Sequence, residues 1–100
     1  MFCVGAKITF ADGRIAAARN AEEMEKIFAM SASFTAINCF ADSIGLVGTL
    51  SENGGTFVWT NRDNGEKYTT TASSFDEVKK ISEHFIKSGE RCSDFSWEKV

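Results

Sequence analysis

Apolar and polar positions alternate through the first ten residues, with Phe2, Val4, Ala6, Ile8 and Phe10 on one side of an extended chain. That period of two predicts a half-buried β-strand. Three Asx-Gly dipeptides then punctuate strand-like runs: Asp12-Gly13, Asn53-Gly54 and Asn64-Gly65. Each supplies residues that tolerate positive φ, as a two-residue type I′ hairpin loop requires. With Asp12-Gly13 as loop, Phe10 faces Ile15 and Ile8 faces Ala17. With Asn53-Gly54 as loop, Leu50 faces Phe57, Gly48 faces Trp59 and Leu46 faces Asn61. With Asn64-Gly65 as loop, Trp59 faces Thr70 and Asn61 faces Tyr68. The opposite side of this meander reads Val47, Thr49, Val58, Thr60, Arg62, Lys67, Thr69 and Thr71, a threonine-rich surface suited to solvent.

The period changes to helical in two places. "NAEEMEKI" (20–27) and "SFDEVKKI" (74–81) each open with a capping residue, Asn20 or Ser74, and carry a glutamate three positions later, Glu23 or Glu77. This is the capping-box pattern. Ala21, Met24, Ile27 and Phe28 form the apolar stripe of the first helix. Phe75, Val78, Ile81, Ser82 and Phe85 form that of the second. Asp76–Lys80 and Glu83–Lys87 stand at i,i+4 spacing, and Gly89 occupies a helix C-cap position.

Each helix precedes another strand candidate, "FTAINCF" at 34–40 and "DFSWEKV" at 94–100. The first also fits a helical period through Phe34, Ile37, Ala41 and Ile44; its length and its Phe, Thr and Ile content favour a strand. The pattern predicts an α+β fold: an antiparallel sheet of hairpins packed by two amphipathic helices, with an extra strand at 44–50. The strand–strand–helix–strand order occurs twice, which makes an internal pseudo-duplication one reading of the chain. One hundred residues with 43% apolar content are expected to form a single compact domain spanning 1–100.

Fourteen acidic against eleven basic residues give a net charge of −3, with both signs interspersed. No basic stripe or RNP-like pattern invites nucleic acid. Residues 27–51 hold little charge, but Asn38, several serines, Gly45 and Gly48 break any membrane span. The odd set Cys3, Cys39 and Cys92 is not a disulfide framework, and the N-terminus lacks a secretory pattern, so a cytoplasmic protein is expected.

Chemistry-bearing residues are sparse. His84 is the only histidine and could partner Cys92, but a lone helix-surface histidine and cysteines set among apolar neighbours fit structural roles better. Cys3, Cys39, His84 and Cys92 lack the close ligand pairs of a zinc site. Glu22, Glu23 and Glu25 fall at the start of a helix, where they complement its dipole. No phosphate-binding glycine loop occurs, and no cofactor or metal is expected.

Binding surfaces remain. The candidate surfaces are the outer threonine-rich sheet face, the polar loop "NRDNGE" and Trp97, and the candidate partner-contacting residues are Asn61, Arg62, Asp63, Asn64, Glu66 and Trp97. The weakly charged stretch also marks 34–50 as a place for a homo-oligomeric contact. In size and in its missing motifs the chain is similar to small inhibitors carried by phages and toxin operons, the anti-CRISPR and immunity proteins. That resemblance implies a non-enzymatic protein-binding module and assigns no residues. A small-molecule-binding domain, with a cleft beside Gly45, Gly48 and Ala17, is the alternative; a cysteine-dependent enzyme ranks third.

Overall fold

The computed structural model describes residues 5–30, 33–41, 43–51 and 54–100. Its elements run β1 (Gly5–Phe10), β2 (Ile15–Ala18), α1 (Ala21–Phe28), β3 (Phe34–Phe40), β4 (Ile44–Ser51), β5 (Gly54–Asn61), β6 (Glu66–Ala72), α2 (Phe75–Ser88) and β7 (Glu98–Lys99). The strands form one seven-stranded antiparallel sheet in the order β2-β1-β3-β4-β5-β6-β7. The fold is α+β, and segment 34–40 is a strand. In the first strand–strand–helix–strand unit the last strand, β3, pairs with β1; in the second, β7 pairs with β6.

Both helices cap as their sequences direct. Asn20 Oδ1 accepts from Glu23 N at 2.8 Å, and Ser74 Oγ accepts from Glu77 N at 3.2 Å. The returning carboxylates reach one residue further back than a capping box prescribes, to Arg19 N at 2.7 Å and Ser73 N at 2.6 Å. α2 ends at Gly89, which is left-handed at φ 74°. Met24 and Phe28 of α1, and Val78, Ile81, Ser82, Phe85 and Ile86 of α2, are buried. They pack with Ile8, Ile37, Leu46 and Phe57 from one side of the sheet in a shared core. Phe75, expected within that stripe, is 39% exposed at the core's end. Lys80 pairs with Asp94 across 2.8 Å and Lys79 takes Asp76, in place of the anticipated i,i+4 pair from Asp76 to Lys80.

All three hairpins form, and all three differ from the expected register. At the first, Gly13 alone has positive φ (94°), and no non-glycine residue among those described does. Asp12 instead uses its carboxylate to accept from Arg14 N at 3.0 Å and Arg14 Nε at 2.7 Å. Gly13 N donates to Phe10 O and Phe10 N to Arg14 O, the pattern of a type I turn followed by a glycine bulge. The loop therefore holds three residues, and Ile8 faces Ala16, not Ala17. Ile15 consequently turns away from the core and is 64% exposed.

The other two registers slip by two. Leu46 faces Trp59, Gly48 faces Phe57 and Ser51 pairs with Gly54, so Gly54 already belongs to β5; Asn53 lies outside the described residues. At the third hairpin Asn61 faces Glu66 and Trp59 faces Tyr68, leaving a loop of Arg62 to Gly65. A slip of two leaves every side chain on its expected side of the sheet. The threonine-rich surface does face outward, with Thr49, Thr71 and Lys67 exposed and neither helix covering them. β7 is shorter than its candidate segment, because Ser96 O accepts from Thr70 Oγ1 and Trp97 Nε1 turns back to Cys92 O. Phe2, Cys3 and Val4, expected in the first strand, lie outside the described residues.

Candidate functional site

The β5–β6 hairpin carries five of the six residues singled out as partner contacts. Its tip is organised by its own polar side chains. Asn61 Oδ1 accepts from Asp63 N at 3.0 Å, and Asn64 Oδ1 accepts from Glu66 N at 3.0 Å. Asn64 Nδ2 donates to Glu66 Oε1 at 2.6 Å, and Tyr68 Oη donates to Glu66 Oε2 at 2.7 Å. Arg62 N donates to Ser43 O at 2.8 Å, which ties the base of the tip to the start of β4. Gly65 takes positive φ (74°) but Asn64 does not: its side chain instead accepts from Glu66 N, and a type I′ turn needs positive φ at both central residues, so the loop is wider. Arg62, Asp63 and Asn64 remain exposed.

Trp97 is not part of this tip. β7 pairs Tyr68 with Lys99 and Thr69 with Glu98, so Trp97 comes level with Thr70, on the helix-covered side. It is half-buried, and its indole N–H donates to Cys92 O at 2.9 Å. Behind the tip, on the same side, Arg91 stacks its guanidinium 3.7 Å from the Tyr68 ring centroid and 5.0 Å from that of Trp59. Trp59 Nε1 donates to Gly89 O at 3.2 Å. This stack anchors the hairpin's inner face to the end of α2. No pattern in the sequence marks it, because Arg91 meets Tyr68 only through tertiary packing.

The remaining chemistry-bearing residues are dispersed. Cys39 is buried in β3, and burial pushes its thiol up to about 12, far from a nucleophile's range. Cys92 is buried beyond α2, and both are free thiols. Cys3 lies outside the described residues. No cluster of three or more metal-ligating side chains occurs among the described residues. Glu23 sits at the start of α1, where the Arg19 backbone N–H holds its carboxylate below the usual range. No helix among the described residues is long and apolar enough to cross a membrane.

A cleft of about 540 Å³ opens at the end of the sheet beside the N-terminus of α2, lined by Phe34, Leu50, Phe75 and Val78 with Ser33, Thr35 and Ser51 at its rim. It is not where the small residues pointed. Gly48 is filled by the Phe57 ring, and Ala17 faces outward. The aromatic wall of the cleft is firm: Phe34 stacks on Phe75 with centroids 5.7 Å apart, and Phe28 meets both edge-on.

Compared with known protein families, curated proteins and solved structures, the chain matches none.

Proposed function

We propose that this chain is a non-enzymatic protein-binding module whose partner engages the β5–β6 hairpin through Asn61, Arg62, Asp63, Asn64 and Glu66. The observation that carries the reading is the hairpin's preorganisation. Five hydrogen bonds fix the tip, and Arg62, Asp63 and Asn64 stay exposed on it. A loop fixed before binding loses little conformational entropy on association, so its polar contacts translate into affinity. Buried thiols and scattered carboxylates support the same reading. Within it, the chain acts in the cytoplasm as a stoichiometric inhibitor of the anti-CRISPR or toxin-immunity kind. Trp97 supports the fold next to β6 and joins the contact only through the sheet's edge.

The test is a charge reversal at the tip. Arg62→Glu with Asp63→Lys is expected to weaken capture of the host-lysate partner about tenfold or more while the variant stays folded, as circular dichroism checks. A Cys39→Ala, Cys92→Ala, His84→Gln variant is expected to bind fully while folded. Loss of binding in that variant would overturn the non-enzymatic reading.

A second reading rests on the cleft between Phe34, Leu50, Phe75 and Val78. Its aromatic wall, with no charged side chain among the described residues of its rim, suits a small, neutral, largely apolar ligand. Native mass spectrometry of the purified protein, showing a bound metabolite displaced by Val78→Trp, is the result that would favour it.

A further inference from the structure

The helix-free face of the sheet carries a charge pattern that is complementary to itself. Tracing the strand pairs straight across gives one outward-facing row: Ala17, Lys7, Asn38, Val47, Val58, Thr69 and Glu98. A lysine stands near one end, a glutamate at the other, and Val47 of the central strand β4 is at the middle. Val47 is 49% exposed and Phe40, two residues along β3 from Asn38, is 45% exposed. The only other charged strand residue described on this face is Lys67. We infer that a second copy of this chain packs on this face, forming a symmetric dimer with the helices outermost.

Geometry selects the arrangement. Sheets pack face to face about 10 Å apart with strands within about 30° of alignment. A twofold axis along β4 exchanges the two flanks of the sheet. Ala17 then lies over Glu98 of the second copy, which brings Lys7, one strand inward, within side-chain reach of that carboxylate. The pairing occurs twice by symmetry, and Val47 meets its own copy on the axis. A twofold axis across the strands would instead set Lys7 on Lys7 and Glu98 on Glu98, so the first arrangement is favoured.

The area approaches that of a standard interface. At about 4.8 Å between strands and about 3.3 Å per residue, the strands, shortest in β2 and β7, make a face of roughly 600 Å² in projection, more when side chains are counted. A standard interface buries about 800 Å² per partner. β3 and β4 are interior strands, so a contact through 34–50 can use only the face, never an edge. The axis along β4 also leaves both 61–66 tips at the same end of the dimer. The module thereby becomes bivalent toward its partner, a consequence that rests on the hairpin reading, whereas the dimer itself does not.

Sedimentation equilibrium on the purified chain tests the dimer. The expected result is a reversible approach to twice the 11.0 kDa monomer mass. Lys7→Glu and Glu98→Lys are each expected to weaken the dimer about tenfold or more, and the double exchange to restore most of the loss. Val47→Asp, at an exposed position, should yield a folded monomer that still binds the hairpin's partner in a 1:1 complex. A monomer at all attainable concentrations would overturn the dimer. So would a dimer indifferent to Val47→Asp, or a double exchange no better than the single changes. Loss of partner binding by the Arg62→Glu, Asp63→Lys variant in an intact dimer is the separate signature of the hairpin.

Discussion

Gly48 lies directly opposite Phe57, and a Cβ built on the glycine would come within 2.5 Å of the ring carbon Cε1. Phe57 is fully buried at the centre of the sheet's inner face. The ring therefore occupies the space that a side chain at position 48 would need. Gly48→Ala is expected to cost about 1–3 kcal/mol by overpacking. Measured in a Phe57→Leu background, the same substitution should cost clearly less, because the smaller side chain vacates the space. Additive losses in urea denaturation would show that the strain arises elsewhere.

Gly13 presents the opposite situation. A Cβ there would meet nothing within 4 Å, so its φ of +94° is the only constraint. Gly13→Val is expected to destabilise by about 1–3 kcal/mol, since a β-branched residue resists positive φ. Gly13→Asn should cost much less, because asparagine tolerates the left-handed region. Equal melting temperatures for the two variants would contradict a backbone origin.

These two glycines also show what could be read from the chain and what could not. Apolar alternation and the Asx-Gly dipeptides located the hairpins, and the capping residues located both helices. Alternation has a period of two, so it cannot tell a register from its neighbour two residues away. The pattern therefore allows Trp59 opposite Gly48 as readily as Phe57, the actual partner. The first hairpin failed differently: Asp12 accepts hydrogen bonds from Arg14 in place of adopting positive φ, which adds a loop residue and turns Ile15 outward. Of the candidate contacts, Asn61 to Glu66 were legible as one polar hairpin tip. Trp97 does not belong with them, and local pattern does not reveal which side of β7 it takes. The Arg91–Tyr68 stack and the Lys7-to-Glu98 row depend on several strand registers at once, beyond what local pattern encodes.

Ser82 offers a stability gain. It faces the core with no exposed surface, and its hydroxyl has no hydrogen-bond partner among the described residues. Burying an unpartnered hydroxyl is unfavourable, and alanine is the better helix former. Ser82→Ala is expected to raise stability by about 1 kcal/mol. A drop in the urea midpoint would mean that the hydroxyl has a partner after all.

Two glutamates on α2 should respond to pH in opposite directions. Burial between the helices raises the Glu83 carboxyl above its usual 4.5, and Glu25 of α1 beside it adds to the rise. The folded state then binds the Glu83 proton more tightly than the unfolded chain does. Its contribution to stability is complete below pH 4.5 and is lost as pH climbs through the raised value. Glu77 is the reverse. The Ser73 backbone N–H, with the Ser73 hydroxyl, holds it below 4.5, so its contribution is present above pH 4.5 and is lost on acidification. Glu83→Gln should accordingly be more stable than the parent at pH 7. Its advantage is a fraction of a kcal/mol, about the scale of a partly solvated charge pair, and closes as pH falls below 4.5. Glu77→Gln should be less stable at pH 7, with the deficit closing over the acid side of 4.5. Melting temperatures of the three proteins between acid and neutral pH therefore fan out in opposite senses. If both variants moved in the same direction, the Glu25–Glu83 contact would not be opposing the packing of α1 on α2.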